Sequence, residues 1–461
     1  MKRIFLTLLS VLAITSATAA PKQKAQTFPD GTPMEAWFQT RYCALPGGPL
    51  DEPATGLSAE ALEQVCGLKV YHLGRYGIYS TIQKVQTAAI QAVIDKAGES
   101  GGVVYVPEGI YKSGALFFPQ GTHLYLAKGA VLLGSDDIQD FPPRTTRIEG
   151  QTCLYFPALV NADHLDGFSI SGQGVIDGNG SEYWKAFRLR RQWNPKCTNK
   201  DEMRPRLMHM EHCRNVSISG VSLQNSPFWT CHLYKCEYVC LDNVRFFSPR
   251  FPIASASADG IDLDACSQVH ISGCRLTVND DAVCLKGGKG PYADLDSTNG
   301  PCCNILIENT LFDHTTGSCL TCGSECLHAR NIVMRHCEVT GGSNLLLLKM
   351  RPDTPQRYEY ITVDDVKGSC AGLFNVNRWT QFFDLQGRED IPMSYGEHIA
   401  FRNISLKCRF FIGGQADENQ YRVSDVLMEN VRVQTDHGQY DKKLINGLML
   451  KNVSVGAEVE L

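Results

Sequence analysis

Three aspartates in the middle of the chain could share one reactive site. Asp259 stands in the run Ser-Ala-Asp-Gly-Ile-Asp, and Asp280 and Asp281 are neighbours in the run Asn-Asp-Asp. Residues 269–276 lie between them and alternate between apolar and polar side chains, which is typical of a β-strand. If the chain coils so that this segment completes about one turn, Asp259 returns beside the aspartate pair.

Three neighbouring carboxylates repel one another, and at neutral pH at least one of them is driven towards its protonated form. A proton donor would then stand beside bases that can activate water, which is what glycoside hydrolysis requires. A lone Asp-Asp pair is more often turn chemistry, because aspartate hydrogen-bonds its own backbone. The third aspartate and the repeat described below favour the catalytic interpretation.

The composition is that of a chain able to bury a large core. It has 461 residues, of which 43% are hydrophobic, and a formal net charge of -5. This length suits either two average domains or one long repetitive domain. The charge balance argues neither for nor against an anionic partner, so any selectivity must come from local charge.

The first 20 residues have the pattern of a secretory signal. Lys2 and Arg3 precede a short apolar run, residues 4–14, and small residues that suit cleavage follow it. The run is too short to span a bilayer. We therefore expect residues 1–20 to be removed and the mature protein to be secreted or periplasmic, with no membrane partner. Residues 21–70 are rich in Pro and Gly and predict an irregular N-terminal extension.

The 19 cysteines all follow the signal segment. Several stand where a repeat would place a buried side chain: Cys213, Cys236, Cys266, Cys274 and Cys337. We interpret most of them as small apolar core residues, although export would also favour disulfides. Cys319, Cys322 and Cys326 could suggest a metal site, but no second pair at zinc-site spacing accompanies them.

A helix is predicted at residues 84–97, before the repeats begin. Six residues fall on one face of it: Val85, Ala88, Ala89, Ala92, Val93 and Ala97. Gly98, Gly101 and Gly102 are expected to end the helix, and a short strand follows at residues 103–106. We expect this helix to plug the open end of the stack of strands that comes next.

A short phrase then recurs, with a turn-forming residue followed by alternating apolar positions. Copies begin at Gly167, Asn215, Gln268, Asn304, Asn331, Tyr360, His398, Asp425 and Gly447. The later copies recur every ~22 to 38 residues, within the range of solenoid repeats. The pattern predicts an all-β fold, a single-stranded right-handed parallel β-helix over residues 71–461. A β-sandwich would need hairpins with two-residue turns, and such signals are scarce.

Two segments interrupt the repeat and could border a cleft. Residues 181–205 are predicted to form a surface loop, which holds Trp184, Arg188, Arg190, Arg191 and Trp193. Residues 374–395 carry Trp379 and Phe382, whose rings could stack on sugars and wall one end of the cleft. Ordinary exposed charge in the first segment, and filling of space under a loop in the second, are the alternatives.

Six motifs follow one another along the chain. They are Gly101-Gly-Val-Val-Tyr-Val-Pro-Glu-Gly-Ile-Tyr, Gly174-Val-Ile-Asp-Gly-Asn-Gly, Asn225-Ser-Pro-Phe-Trp, Ser257-Ala-Asp-Gly-Ile-Asp, Asn279-Asp-Asp and Gly323-Ser-Glu. In this order they resemble glycoside hydrolase family 28, the polygalacturonase and rhamnogalacturonase group of pectin-degrading β-helices. That family has Asn-Thr-Asp-Gly-Ile-Asp and Gly-Asp-Asp at the fourth and fifth motifs. The likeness covers nearly all of the chain after the signal segment.

The resemblance implies an inverting mechanism that needs no metal or cofactor. Asp280 would donate a proton to the leaving oxygen, and Asp259 and Asp281 would orient and deprotonate water on the opposite face. Because that water needs room, the gap between the acid and the bases should be about 6.5 to 9.5 Å.

Two positions depart from the family's pattern. Ser318 stands where the family has the His of Gly-His-Gly. Leu347 stands where it has the Arg of Arg-x-Lys, while Lys349 keeps the Lys. In the family this Arg and Lys hold the uronate carboxylate and the scissile region, so the surroundings of the reacting bond are altered here.

Neighbouring residues could compensate for these losses. Alternation on a strand would put Lys349 and Arg351 on one face, so Arg351 could supply the missing guanidinium. His314, four residues before the missing His, could supply an imidazole. Lys286 and Lys289 follow the aspartate pair and could add positive charge for an acidic sugar. An ordinary surface charge or a hydrogen-bonded His is the alternative in each case.

These observations predict a glycoside hydrolase that cleaves α-glycosidic bonds in pectic, galacturonic-acid-containing poly- or oligosaccharides. The departures favour another pectic linkage, or exo-action on short chains, over a standard endo-polygalacturonase. Two alternatives are a non-catalytic carbohydrate-binding β-helix and a calcium-dependent pectate lyase, in which Asp259, Asp280 and Asp281 would bind calcium. We expect a monomer with no nucleic-acid partner.

Overall fold

The alternating phrases of the sequence form the rungs of a right-handed parallel β-helix, as predicted. The computed structural model describes residues 26–34 and 56–461. Successive strands pair in parallel with the strand one coil later, so that Val216 lies beside Val239 and Val239 beside Val269. The predicted signal segment, residues 1–20, lies outside the described residues.

The helices and strands have the following bounds. The helices are α1 (Ala59–Cys66), α2 (Thr87–Ser100) and α3 (Ser181–Trp193), with short 3₁₀ turns at Leu73–Tyr76 and Ile138–Asp140. The early strands are β1 (Val70–His72), β2 (Gly102–Val106), β3 (Gly109–Ser113), β4 (Leu116–Phe118), β5 (Thr122–Leu126), β6 (Ala130–Gly134), β7 (Arg144–Ile148), β8 (Gln151–Tyr155), β9 (Val160–Asp163), β10 (Ser169–Gly172) and β11 (Val175–Asp177). The middle strands are β12 (Met208–Glu211), β13 (Arg214–Ser219), β14 (Ser222–Gln224), β15 (Cys231–Tyr234), β16 (Glu237–Asp242), β17 (Arg245–Phe247), β18 (Ile261–Asp264), β19 (Ser267–Ser272), β20 (Arg275–Thr277) and β21 (Val283–Lys286). The late strands are β22 (Pro301–Glu308), β23 (Leu311–Phe312), β24 (Leu320–Cys322), β25 (His328–Thr340), β26 (Asn344–Met350), β27 (Arg357–Arg378), β28 (Ser394–Gly414), β29 (Tyr421–Gln434) and β30 (Ile445–Gly456).

Three parallel faces run along the coil. The face built from β4, β9, β12, β15, β18, β21, β24 and β26 is called the site sheet below. The face that includes β13, β16, β19, β22 and β25 is called the repeat sheet. In the last coils single long strands turn the corner between faces, since β27 pairs with both β25 and β26. Among the strands named above, the hairpin of β7 and β8 is the exception to parallel pairing, and an isolated antiparallel bridge also joins Thr27 to Pro33.

The core is a set of apolar columns inside the coil. On the site sheet, Leu233, Leu263, Leu285, Cys322 and Leu348 stack in register and are fully buried. Burial of a large aliphatic side chain contributes about 1.5–3 kcal/mol, so each rung adds a similar increment. Because side chains alternate across a strand, the neighbours of these residues point outward, away from the core.

The cysteines behave mainly as core residues, as predicted. Cys213, Cys236, Cys266, Cys274 and Cys337 are buried in the main apolar cluster, and so are Cys319, Cys322 and Cys326. The cysteines of the described ranges are free thiols. Their small volume suits the narrow columns, where the strands lie close together.

The first residue of each repeated phrase is a corner of the coil. Asn215, Gln268, Asn304 and Asn331 have φ angles of 52°, 55°, 56° and 58°, in the left-handed region that Asn adopts more readily than most residues. Asn331 Nδ2 also donates to Asn304 Oδ1 on the preceding coil at 3.0 Å. The recurrence seen in the sequence is therefore the recurrence of a turn.

The capping helix α2 exists, but its buried face differs from the predicted one. Ile90, Val93, Ile94 and Ala97 are buried against the first coils, whereas Ala88, Ala89 and Ala92 are exposed. The helix also continues through Gly98. A glycine suits this position because a Cβ there would lie 2.4 Å from Pro119 Cγ. The helix ends at Ser100, and Gly101 follows it with a φ of 72°.

The N-terminal region contains more structure than the irregular extension that was predicted. Residues 59–66 form α1, which Ser58 caps at its N-terminus and Gly67 ends. Phe28 and Met34 pack against Leu306 and Val333 on the side of the coil. Among the described residues, no helix combines the length and the apolar character needed to cross a membrane.

Candidate active site

Asp259 and the aspartate pair meet on neighbouring coils of the site sheet, as the spacing predicted. The N–H of Gly260 donates to the carbonyl of Asp281 at 3.0 Å, and Ile261 pairs with Val283 in β18 and β21. The backbone therefore brings Asp259 beside Asp280 and Asp281 at the entry to these strands. All three side chains line one pocket with a volume of about 240 Å³.

The adjacent aspartates Asp280 and Asp281 carry opposite pKa shifts. Burial and the charge of Asp281 raise the pKa of Asp280 to about 6. Burial would also raise the pKa of Asp281, but Lys349 and a backbone hydrogen bond from Ser318 lower it below its ordinary value. Lys349 Nζ lies 2.6 Å from Asp281 Oδ2, and the Ser318 N–H donates to Asp281 Oδ1 at 2.9 Å. At pH values around 6, Asp280 can therefore hold a proton while Asp281 is ionised.

Asp259 belongs to a second group of charges at the base of the pocket. Burial, followed by the charges of Asp262 and Asp280, raises its pKa well above the ordinary value. Burial also raises the pKa of Asp262 to about 7. The Lys286 ammonium lies 3.9 Å from Asp259, 3.4 Å from Asp262 and 3.2 Å from Glu325. A single ammonium thus serves three acids. The pKa of Asp259 and of Asp262 is raised, whereas Lys286 and Lys289 outweigh the effect of burial on Glu325 and lower its pKa.

Lys286 lies beside a group of side chains whose spacing would otherwise suit a metal ion. One donor atom each from Asp259, Asp262 and Cys284 lies within 4.8 Å of the others. Lys286 Nζ lies 3.4 Å from Cys284 Sγ and at the same distance from Asp262. Calcium prefers a shell of six to eight oxygens, and a thiol beside an ammonium does not supply one. These contacts favour Lys286, rather than a metal, as the cation of this cluster.

An aromatic floor lies under the charged groups. Lys286 Nζ stands 4.3 Å from the centre of the Trp229 ring, and Lys349 Nζ stands 4.6 Å from that of Trp379. Trp229 stacks on Phe228 with ring centres 4.9 Å apart. The Asn-Ser-Pro-Phe-Trp motif therefore has a structural role, because it places the Trp229 ring beneath the buried ammonium of Lys286.

One wall of the pocket is a helix rather than the predicted surface loop. Within residues 181–205, α3 spans Ser181–Trp193 and buries Tyr183, Trp184 and Phe187. The Trp184 ring N–H donates to the Ser226 carbonyl at 3.0 Å and anchors the helix on the coil. Phe187 and Arg191 then face the pocket, together with Asn199 from the loop that follows. The border of the cleft was foreseen, but the helical spacing of its buried residues was missed.

The opposite wall comes from the segment after β27. Trp379, Gln381 and Phe382 line the pocket, as predicted for the two aromatic residues. The segment is shorter than predicted, since β27 continues to Arg378. Arg351 fixes it, because its guanidinium donates to the carbonyls of Gln381 and Phe382 at 3.1 and 3.3 Å.

Arg351 does not take the position of the missing guanidinium. Strand β26 ends at Met350, so the alternation that would align Arg351 with Lys349 stops before it. The Arg351 side chain is buried and forms an ion pair with Asp353 at 2.7 Å. Its side-chain hydrogen bonds go to Asp353 and to the two carbonyls of the wall, and Arg351 is not part of the pocket lining within the described residues, so the geometry gives no support to the predicted role of Arg351 in substrate binding.

His314 does not replace the missing imidazole either. It lies on the turn after β23, before the chain reaches the site sheet, and its side chain is 68% exposed. Its Nδ1 lies 2.6 Å from Asp313 Oδ1, and the pocket lining within the described residues does not include it. Ser318, at the family's His position, contributes its backbone N–H to Asp281 instead.

Lys286 and Lys349 do reach the site, as expected. Lys289 binds Glu149 at 3.7 Å, at the edge of the pocket. Sequence reasoning gave no role in the site to Asp262 or Glu325, and it placed Arg191 only on a segment that could border the cleft. Asp262 could have been found, because the runs Ile-Asp-Leu-Asp and Val-Cys-Leu-Lys alternate in register on neighbouring coils.

Comparison with known proteins agrees with the motifs. The model of glycosyl hydrolases family 28 matches residues 143–367. A probable polygalacturonase of Vitis vinifera is 29% identical over 220 residues, which cover 46% of this chain and 43% of that protein. An endo-polygalacturonase of Pectobacterium carotovorum subsp. carotovorum is 25% identical over 365 residues, which cover 76% of this chain and 84% of the relative. The chain spans less than half the length of the Vitis vinifera relative and of relatives from Arabidopsis thaliana and Chamaecyparis obtusa.

Solved structures share the fold. An exopolygalacturonase from Thermotoga maritima superposes with a TM-score of 0.69 at 21% identity, covering 85% of this chain and 93% of that one. A polygalacturonase from Erwinia carotovora ssp. carotovora gives 0.62 at 19% identity, covering 88% and 98%. The family match includes the three aspartates and both pocket lysines. The family match, the ordered motifs and the coil together support glycoside hydrolase family 28 as the family of this chain.

Proposed function

We propose that this protein is an inverting glycoside hydrolase that removes α-linked galacturonic acid residues from the ends of pectic oligosaccharides. The observation that carries the proposal is the opposite pKa shift of two adjacent aspartates in one pocket. Asp280 has a pKa raised to about 6, and Asp281 has a lowered pKa beside Lys349. This pairing gives a proton donor and an ionised base at one glycosidic bond.

In the proposed reaction Asp280 transfers its proton to the glycosidic oxygen as the bond to the anomeric carbon breaks. A water molecule attacks that carbon from the opposite face, and Asp281 takes the proton of the water. Asp259, whose pKa is raised well above its ordinary value by burial, orients the water. One water molecule is consumed, and the configuration at the anomeric carbon is inverted. Lys349 keeps Asp281 ionised before the reaction.

The substrate class follows from the relatives and from the pocket. The related proteins named above are polygalacturonases. The pocket combines aromatic rings at Trp229 and Trp379 with the cations Lys286, Lys349 and Arg191. Sugar rings stack on aromatic faces, and a uronic acid also offers a carboxylate to a cation.

Chain-end action is supported by walls at two sides of the pocket. Phe187 and Arg191 come from α3, which precedes the aspartates in the coil order, and Trp379 and Phe382 come from later coils. Since coils stack in chain order, these walls border the groove in both directions along its axis. A groove closed in this way favours a short substrate end over the middle of a long chain.

The experiment that tests this proposal follows the anomeric protons of the products by NMR during the first minutes of digestion of defined oligogalacturonides. The expected first product is galacturonic acid in the β configuration, released singly from the chain end. Asp280→Asn should reduce the rate by about 10²–10⁴-fold, and a chelator should leave the rate of the wild type unchanged.

Four results would contradict the proposal. An α product formed first would indicate retention, and an unsaturated uronate that disappears with a chelator would indicate a calcium-dependent lyase. Unchanged sugar release by Asp280→Asn would remove the assigned acid, and binding without any cleavage by the wild type would indicate a carbohydrate-binding protein.

A further inference from the structure

The pocket holds many more acidic groups than available cations. Five acids line it: Glu149, Asp259, Asp280, Asp281 and Glu325. Three cations line it as well, and two of these are engaged, since Lys349 pairs with Asp281 and Lys286 with Glu325. An anionic sugar entering this pocket therefore needs a cation that is not already neutralised.

Arg191 is the third cation, and its guanidinium is available. It lies two residues before the end of α3 and is exposed at the pocket wall. No ion pair within 4.0 Å among the described residues includes it, whereas the adjacent Arg190 pairs with Glu202 at 3.2 Å. Its contact with the protein is with an aromatic ring, which leaves the N–H groups free to donate.

The ring that carries Arg191 is itself firmly held. Arg191 Cζ lies 5.3 Å from the centre of the Phe187 ring, and Arg204 Cζ lies 3.8 Å from the same ring. Arg204 is buried, contacts Phe228 at 5.1 Å, and donates to the Pro227 carbonyl at 3.0 Å. Phe228 stacks on Trp229 in turn. A continuous series of rings and guanidinium groups thus runs from the floor of the pocket to Arg191, and it restricts where this side chain can lie.

We infer that Arg191 binds the carboxylate of a uronic acid residue in the pocket and so selects acidic sugars over neutral or esterified ones. The planar guanidinium can form two parallel hydrogen bonds with a carboxylate. The site sheet offers no such group at position 347, where the side chain is a buried leucine. Helix α3 supplies the cation from the wall of the pocket. This inference rests on the proposed function, because it names what that site recognises.

The test compares Arg191→Gln with the control Arg190→Gln. Arg190 is the preceding residue of the same helix and does not line the pocket. Each is assayed on an oligogalacturonide and on its methyl ester, which has no carboxylate charge. Arg191→Gln should raise KM for the acidic substrate by about 10- to 100-fold, the value of a charge-assisted hydrogen bond, and leave kcat and the ester almost unchanged. Arg191→Lys should restore part of the loss. Arg190→Gln should behave as the wild type on both substrates.

A second readout separates this inference from the proposed hydrolysis. Calorimetric titration of the acidic oligosaccharide into Asp280→Asn, with and without Arg191→Gln, measures binding while cleavage is suppressed. A 10- to 100-fold weaker affinity in the double variant, by the same estimate, supports the role of Arg191 even if the wild type proves not to hydrolyse the sugar. Equal affinities, or equal losses on acid and ester in the kinetic assay, would overturn it.

Discussion

Two regions of the coil have opposite effects on the pKa of a partly buried carboxylate. Glu308, at the end of β22 on the repeat sheet, bonds Arg335 and His270 on the neighbouring coils at 2.8 and 2.9 Å. Burial would raise its pKa, but these partners lower it to about 2. On the site sheet Asp280 lies beside another acid, and its pKa is raised to about 6.

The difference lies in the ratio of acids to cations. Glu308 has two basic partners of its own, so it stays ionised and stabilises the fold. The site cluster places five acids around two lysines: Asp259, Asp262, Asp280, Asp281 and Glu325 around Lys286 and Lys349. The same scaffold therefore gives a structural ion pair where charges balance, and raised pKa values at Asp259, Asp262 and Asp280 where acids are in excess.

Replacing Lys349, the cation beside Asp281, should shift the pKa of Asp281 upward, in the direction of the shift seen at Asp280. In Lys349→Met the pKa of Asp281 should rise, because burial is no longer opposed by the ammonium. The base is then protonated over more of the working range, and kcat should fall about 100-fold. The acidic limb of the pH profile should also move to higher pH, which initial-rate measurements across pH would detect.

Lys367→Met is the matched control, because Lys367 is exposed on β27 far along the chain from the aspartates. Its rate and pH profile should equal those of the wild type. An acidic limb that stays in place in Lys349→Met would show that this lysine does not hold Asp281 ionised.

The excess of acids should also set the alkaline limb of the wild-type profile. The reaction needs Asp280 protonated, and its pKa is about 6. As pH rises through this value the free enzyme loses the donor, so kcat/KM should fall about tenfold for each further pH unit. Asp281 must be ionised, so activity should persist as pH falls until its lowered pKa is reached. A rate that stays constant up to pH values well above this range would contradict the assignment of the donor.

The balanced pair on the repeat sheet should affect stability alone. A lowered carboxylate pKa stabilises the folded state above the pKa of the unfolded chain, and that stability is lost as pH falls through the folded value of about 2. Glu308→Gln should therefore reduce the free energy of unfolding at pH 7 by about 2 kcal/mol and leave kcat and KM unchanged. Urea unfolding of both proteins measures this, and a loss of activity in the folded variant would show that the two sheets are coupled.

The coil and the position of the three aspartates were predictable because both depend on local periodicity. Alternation fixes which side chains point inward, and one coil of chain returns Asp259 to Asp280. The Arg-x-Lys alignment also pointed to Lys349, and nearness to the aspartate pair pointed to Lys286; both lysines line the pocket. These features need only the spacing within one or two coils.

The failures concern places where the chain leaves that period. Arg351 was aligned with Lys349 by extending β26 beyond its end, and the turn that follows sends its guanidinium to Asp353 instead. His314 was chosen by nearness in sequence, although a corner of the coil separates it from Ser318. Helix α3 was hidden by its polar face, and the role of Arg191 depends on Phe187 and on contacts that are distant in sequence.

The division of labour between the two adjacent aspartates is tested most directly with a substrate that needs no acid. α-Galacturonosyl fluoride has a weakly basic leaving group, so its departure depends little on a proton donor. Asp280→Asn should hydrolyse the fluoride at nearly the wild-type rate while losing the oligogalacturonide, and Asp281→Asn should lose both. Equal losses on the two substrates in Asp280→Asn, or retained activity on the oligogalacturonide in Asp281→Asn, would contradict the roles assigned here.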